Sequence, residues 1–166
     1  MPHQIIEYSA NLESRMDVQA LVDGLHQVAA ETDGLPLGGL RTRAAKRDRY
    51  QIADCHPDNA FVHVILKLGH GRPVEVRRAF GEKLFAALCE LLEPVSSTSP
   101  IAISFEIQQI DPELTWKKNN LREHMMQRDA NESDAFAPSR RWPGCAQPTA
   151  LQFLHTRFGL ALAYLA

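Results

Sequence analysis

A strand–helix–strand pattern that occurs twice along the chain constrains the fold more than any other feature. In the first copy, the β-branched stretch His3–Tyr8 predicts a strand. Apolar residues at helical spacing predict a helix from Met16 to Ala30. The arginine-rich segment Leu40–Ala53 predicts one or two strands with a turn. The second copy predicts strands at Ala60–Leu68 and Ile101–Ile110, with a helix between them.

The second helix is predicted from apolar residues that share one face. Gly69, Gly71 and Pro73 break the chain before it, and Pro94 is expected to end it. Its apolar residues are Val76, Phe80, Leu84, Phe85, Leu88, Leu91 and Leu92. Both units therefore have the order β-α-β, which favours parallel strands within each unit.

These units predict an α+β fold, in which four strands form one sheet with two helices on one face. The other sheet face is expected to be rich in apolar residues and to need cover from neighbouring subunits, so we expect a homo-oligomer. The compact domain is predicted to span 1–125. From 126 to 166 the chain is polar, contains proline and has no periodicity, which predicts an irregular extension of unknown role. Within it, Ala150–Ala166 could form a short helix.

Composition excludes several classes of protein. Eighteen basic and twenty acidic residues give a formal charge of -2, which argues against a nucleic-acid partner or an anionic membrane surface. The apolar tail is too short to span a membrane well. Three dispersed cysteines and a start without secretory features favour a cytoplasmic location. The histidine spacing matches no metal site, and no nucleotide-binding motif is present, so neither a metal nor a cofactor is expected.

Pro2 is the first candidate for chemistry. Removal of Met1 would expose a secondary amine on a rigid ring at the start of a strand. An α-amino group titrates at roughly 7.7–8.0, and both burial and nearby arginines would lower its pKa towards neutrality. A base poised near the working pH suits proton transfer. Proline at this position is also common for no catalytic reason, and an acylated nitrogen could not act as a base.

Arginines form the second candidate group. Arg41 and Arg43 are two residues apart on a predicted strand and would share a face. Arg72 precedes a predicted helix, where the backbone N–H groups add to its positive field. Guanidinium groups bind carboxylates through paired hydrogen bonds. The neighbouring Lys46, Arg47 and Arg49 are more simply interpreted as a solvated strand edge.

Four ordered stretches make the sequence similar to a known family. They are PHQIIEYSAN (Pro2–Asn11), PLGGLRTR (Pro36–Arg43), Ala60–Phe85 and ISFEIQQIDPELTWKKNN (Ile103–Asn120). Together they resemble the 5-carboxymethyl-2-hydroxymuconate isomerases of the tautomerase superfamily. The resemblance covers roughly the first three quarters of the chain, and the family usually ends near His124.

The resemblance implies an activity and a set of site residues. The catalytic base would be the N-terminal proline, Pro2, and Arg41 and Arg72 would bind substrate carboxylates, with Arg43 a weaker candidate. The implied reaction converts 5-carboxymethyl-2-hydroxymuconate to its 2-oxo tautomer in homoprotocatechuate breakdown. The implied partner is a small di- or tricarboxylate, the implied assembly is a homotrimer, and neither metal nor cofactor is required.

Two other functions remain open from the sequence. The chain could act on another enol or unsaturated acid, as other members of the superfamily do. It could also be a non-catalytic oligomeric binding protein that uses its C-terminal extension for interaction. A mature chain that retains Met1 would favour this last interpretation.

Overall fold

In the computed structural model, which describes residues 1–134, four strands form one mixed sheet. They are β1 (His3–Ser9), β2 (Arg41–Arg47), β3 (Ala60–Gly69) and β4 (Ile101–Ile110), in the spatial order β2-β1-β3-β4. β1 is parallel to β2 and β3 is parallel to β4, whereas the central pair, β1 and β3, is antiparallel. Two β-α-β units therefore lie side by side in opposite directions.

Three α-helices accompany the sheet in this part of the chain. α1 spans Val18–Ala30, and the side chain of Asp17 caps it by accepting a hydrogen bond from the Gln19 N–H. α2 spans Val74–Ser96, and α3 spans Leu121–Asp134. The chain also forms short 3₁₀ turns at Ala10–Ser14 and Leu37–Gly39. No helix among the described residues is long and apolar enough to cross a membrane.

The core lies between the sheet and helices α1 and α2. Alternate residues of β1 and β3 point to the same face and are fully buried there, as in Ile6 and Val64. They pack in one cluster with Leu25 of α1 and Leu88 of α2. Both helices therefore cover one face of the sheet, which confirms the predicted α+β fold.

The other sheet face differs from the prediction that it is rich in apolar residues. It carries Ile5 and Ile65, which are half-buried partners across β1 and β3. The same face also carries charged or titratable side chains, namely His3, Glu7, Arg41, Arg43, Arg47, His63, Lys67 and Glu106. The strand sequences alternate between the two faces, and the buried face takes most of the apolar residues. The expectation of an apolar open face was therefore wrong.

Three predicted segments also have different boundaries in the structure. The arginine-rich segment forms the single strand β2, which stops at Arg47. Pro94 does not end α2, which continues to Ser96 and buries Val95. Residues 126–134, predicted to be irregular, continue helix α3. The predicted helix at Ala150–Ala166 lies outside the described residues.

Candidate active site

The sheet topology brings separate parts of the chain to one end of the sheet. Because β1 and β3 are antiparallel, the starts of β1 and β2 lie beside the ends of β3 and β4. His3 pairs with Arg41 on one side and with Lys67 on the other. Gly69, the last residue of β3, pairs with Ile110 of β4. We call this end of the sheet, where Pro2 enters β1, the Pro2 end.

Pro2 is buried, and its backbone is fixed. Its carbonyl accepts a hydrogen bond of 3.2 Å from the Arg41 N–H, which joins the starts of β1 and β2. Met1 lies directly on the backbone of Gly39, since a Cβ added to Gly39 would be 3.3 Å from the Met1 Cα. The side-chain amide of Asn119 also reaches the Met1 Sδ, at 3.5 Å. The first residues are thus held in place by neighbouring segments.

The electrostatic environment at the Pro2 end favours a neutral amine. Burial lowers the pKa of the Met1 amino group, and the positive charges of Lys117, Arg72 and Arg41 lower it further. The same environment acts on His3, whose pKa is lowered by burial and then by Arg41 and Arg43. The Pro2 nitrogen lies one residue along the chain from this amine.

The structure brings two of the three predicted arginines to the chain terminus. Arg72, which precedes α2, is half-buried and donates hydrogen bonds to the carbonyls of Gly69 (3.3 Å) and Gly34 (3.0 Å). Arg41 is also half-buried, and within residues 1–134 its guanidinium has no hydrogen-bond or ion-pair partner. Its charge is therefore available to an anion.

Arg43 occupies a different position. It lies two residues further along β2, opposite Ile5, and its side chain is exposed. Its Nη1 is 3.5 Å from the Nδ1 of His3. Arg43 is not among the charges that lower the pKa of the terminal amine. The structure thus associates Arg43 with His3 rather than with the start of the chain.

Sequence reasoning missed a contribution from residues 111–120, which follow β4. Asn119 donates a hydrogen bond of 2.8 Å to the Gly38 carbonyl, and Lys117 is the first of the charges that lower the pKa of the terminal amine. These residues belong to the stretch that carried the family resemblance, but no role was assigned to them. Only the pairing of β4 beside β3 shows that they return to Pro2.

This arrangement can support proton transfer on an anionic molecule. An amine whose pKa is lowered keeps its neutral, proton-accepting form over a wider pH range, and guanidinium groups can bind carboxylates. Among residues 1–134, no group of three or more His, Cys, Asp or Glu side chains is placed to hold a metal ion.

Comparison with known proteins identifies the family. Residues 2–125 match the family model described as 5-carboxymethyl-2-hydroxymuconate isomerase. The Escherichia coli 5-carboxymethyl-2-hydroxymuconate Delta-isomerase is 37% identical over 121 residues, which cover 73% of this chain and 96% of that protein.

Solved structures agree with the sequence comparison. A 5-carboxymethyl-2-hydroxymuconate isomerase from Deinococcus radiodurans R1 is 36% identical, with a TM-score of 0.69, over 75% of this chain and 93% of its own. A 5-carboxymethyl-2-hydroxymuconate delta-isomerase has the same TM-score and coverage at 29% identity. The chain therefore belongs to the 5-carboxymethyl-2-hydroxymuconate isomerase family of the tautomerase superfamily and is an isomerase that interconverts keto and enol forms.

Proposed function

We propose that this chain converts 5-carboxymethyl-2-hydroxymuconate to its 2-oxo tautomer, with the amine of Pro2 as the proton carrier. The family resemblance assigns this reaction to homoprotocatechuate breakdown, and the dispersed cysteines favour the cytoplasm as its location. The domain that performs it is proposed to be 1–125. No metal or organic cofactor is needed in this scheme, because the conjugated substrate itself delocalises the electrons that move.

The reaction moves one proton and shifts two double bonds. Neutral Pro2 takes the proton from the 2-hydroxyl, so the O–H bond breaks and a C2=O double bond forms. The C2=C3 electrons move to C3=C4, and the former C4=C5 electrons take a proton at C5 from the protonated Pro2. Arg41 and Arg72 bind substrate carboxylates and stabilise the negative charge that builds on the conjugated system. Arg43 is a weaker candidate, since its guanidinium lies near His3.

The observation that carries this proposal is the convergence of the chain terminus with cations from separate segments. Lys117, Arg72 and Arg41 lie far apart in sequence, yet all lower the pKa of the terminal amine. A base and anion-binding groups in one place are what proton transfer on a carboxylate-bearing enol requires. The space beside Pro2 that Met1 occupies would receive the substrate once Met1 is removed.

We further propose that the protein assembles as a homotrimer. The open sheet face is half-buried at Ile5 and Ile65 and carries charges of both signs, which suits contact with another copy of the same chain. Leu114 (70% exposed) and Trp116 (86% exposed), which follow the edge strand β4 in sequence, are further apolar side chains that such an assembly could bury. Sedimentation velocity should give three times the chain mass. A monomer at micromolar concentration would contradict this proposal.

The decisive experiment begins with the mass of the purified chain. We expect the mass of a chain that lacks Met1, and turnover of 5-carboxymethyl-2-hydroxymuconate followed by ultraviolet absorbance. Pro2→Ala should lower kcat by about 10²–10⁴-fold, the usual contribution of a positioned general base. The matched control is Pro100→Ala. Pro100 precedes β4, and its carbonyl accepts a strand-closing hydrogen bond from Ala60, but its nitrogen is acylated within the chain.

Four outcomes would contradict the proposal in whole or in part. Retention of Met1 in the active protein, or near-normal turnover by Pro2→Ala, would exclude Pro2 as the base. If haloacrylates or simple enols reacted faster than 5-carboxymethyl-2-hydroxymuconate, the proposed substrate would be wrong, whereas Pro2 would remain the proposed base. No turnover of any compound would favour a binding protein on the same fold.

A further inference from the structure

We infer that Lys117 is a third anion-binding residue of this site and makes it selective for a tricarboxylate over the corresponding dicarboxylate. The inference rests on the function proposed above and deepens it. It follows from the path of residues 111–120 between β4 and α3, from the charges around the amine, and from the number of carboxylates on the substrate.

The backbone brings Lys117 to the Pro2 end through fixed points on either side. Before it, Ile110 is paired with Gly69, and the Asp111 carbonyl accepts a hydrogen bond of 2.6 Å from the Thr115 hydroxyl. After it, Asn119 donates to the Gly38 carbonyl at 2.8 Å and reaches Met1. Lys117 therefore lies between two hydrogen-bonded residues, Thr115 and Asn119, and close in sequence to the residue that contacts Met1.

Within residues 1–134, no carboxylate pairs with the charge of Lys117. Its side chain is exposed. Its effect on the terminal amine exceeds those of Arg72 and Arg41, whereas its neighbour Lys118 is not among the charges that act there. Of the two adjacent lysines, therefore, only Lys117 acts on the chain terminus.

The substrate has one more carboxylate than the two arginines would bind. The muconate chain ends in two carboxylates, and the carboxymethyl group on C5 adds a third. That group is attached through a single CH₂ and can rotate. A lysine ammonium on a flexible stem is a compact point charge that suits a mobile anion, whereas Arg72 is held by two carbonyls. Lys117 therefore complements the additional carboxylate.

The test compares Lys117→Met with the matched control Lys118→Met on two substrates. The first is 5-carboxymethyl-2-hydroxymuconate, and the second is 2-hydroxymuconate, which lacks the carboxymethyl arm. Lys117→Met should raise KM for the tricarboxylate about tenfold, a loss of about 1.4 kcal/mol. It should change KM for the dicarboxylate less than twofold. Lys118→Met should leave both values within twofold of the parent.

A binding measurement separates this inference from the proposed reaction. Tricarballylate, a saturated tricarboxylate, should bind the parent protein more tightly than glutarate in calorimetry, and Lys117→Met should remove most of the difference. This result would support Lys117 even if no muconate were turned over. Two results would overturn the inference. One is that Lys117→Met raises KM, or weakens binding, equally for tricarboxylates and dicarboxylates. The other is that Lys117→Met has the same KM and affinity values as the parent.

Discussion

The two ends of the sheet have similar backbones but opposite electrostatics. At each end, one hydrogen bond closes the start of a parallel strand pair: Arg41 N–H to the Pro2 carbonyl at one, and Ala60 N–H to the Pro100 carbonyl at the other. At the Pro2 end, the cations of Arg41 and Lys117 have no acidic partner among residues 1–134.

At the opposite end, several charges are paired. Carboxylates and cations meet there in the pairs Glu13–Lys46, Glu7–Arg47 and Asp58–Arg15. Exposed pairs of this kind contribute little to stability, but they cancel the local field. The fold repeat therefore supplies two similar frames. Within residues 1–134, the end that holds the chain terminus carries two cations without an acidic partner, Arg41 and Lys117, which supports the proposed anion-binding site.

Among the cations of the Pro2 end, the largest effect is expected from Arg72→Ala. This change removes a proposed carboxylate contact and the hydrogen bonds to the Gly69 and Gly34 carbonyls. We expect kcat/KM to fall by about a thousandfold, roughly 4 kcal/mol at 1.36 kcal/mol per decade, and the melting temperature to fall as well. Arg72→Lys should restore part of the activity. An unchanged kcat/KM in Arg72→Ala would exclude its proposed role.

Arg41→Gln should have the second-largest effect, and it should be confined to activity. The guanidinium has no partner within residues 1–134, so the melting temperature should not change. Loss of a charged hydrogen bond worth roughly 1.5–3 kcal/mol predicts a fall in kcat/KM of about a hundredfold. The control at the opposite end is Arg47→Gln, which breaks the pair with Glu7 and should change kcat/KM less than twofold.

The same variant tests the electrostatic argument through its pH dependence. Arg41 lowers the pKa of the Met1 amine, because its charge disfavours the protonated form, and we expect it to act in the same way on the Pro2 amine once Met1 is removed. Removing that charge makes the protonated amine more favourable and raises its pKa. Since the neutral amine is the proposed base, the acid limb of kcat/KM should move to higher pH. A shift in the other direction would show that the amine is not the group that titrates.

The hydrophobic patterns of the sequence predicted most of the strands and helices. Strands β1, β3 and β4 lie within one residue of their predicted bounds, because alternating burial gives a strong period-2 pattern. The antiparallel register of β1 and β3 was not predicted, since the residues between β2 and β3 have no periodicity. The polar residues 126–134 were also missed, because α3 has no apolar face to reveal it.

Sequence reasoning found only those site residues whose type alone suggests a chemical role. Pro2 and the arginines were candidates from residue type and family resemblance. Lys117 and Asn119 could not be found in this way, because their position depends on the pairing of Gly69 with Ile110 and on a contact with Gly38. Strand register and long-range contacts depend on the three-dimensional structure and cannot be derived from local patterns in a single sequence.

A smaller effect is expected where the Leu37–Gly39 turn meets the chain terminus. A methyl group at Gly39 would enter the space that Met1 occupies, and Gly39→Ala should therefore narrow the proposed pocket and lower kcat/KM about tenfold, or about 1.4 kcal/mol. Gly38→Ala is the matched control, because its methyl group would point at Arg122 of α3 with ordinary contact. Equal losses in the two variants would indicate a general disturbance of the turn.

The smallest effect on activity is expected from Tyr8→Phe at the opposite end. Burial, assisted by the hydrogen bond to Glu13 at 2.8 Å, raises the pKa of Tyr8 to about 12. The same bond, together with Lys46, holds the pKa of Glu13 below its usual range. Because the pKa of Glu13 is lower in the folded chain, the unfolded chain binds more protons as the pH falls. The Tyr8–Glu13 hydrogen bond therefore stabilises the fold near neutral pH, and this stabilisation is lost as the pH falls through the folded pKa of Glu13.

Tyr8→Phe removes the donor, so the pKa of Glu13 should rise towards its usual range. The free energy of unfolding, measured with urea, should be lower than in the parent near neutral pH, and the two proteins should converge in acid. Turnover should stay within twofold of the parent. A loss of turnover as large as that of Gly39→Ala would mean that the two ends of the sheet are coupled. The uncompensated charges at the Pro2 end would then not be sufficient to define the site.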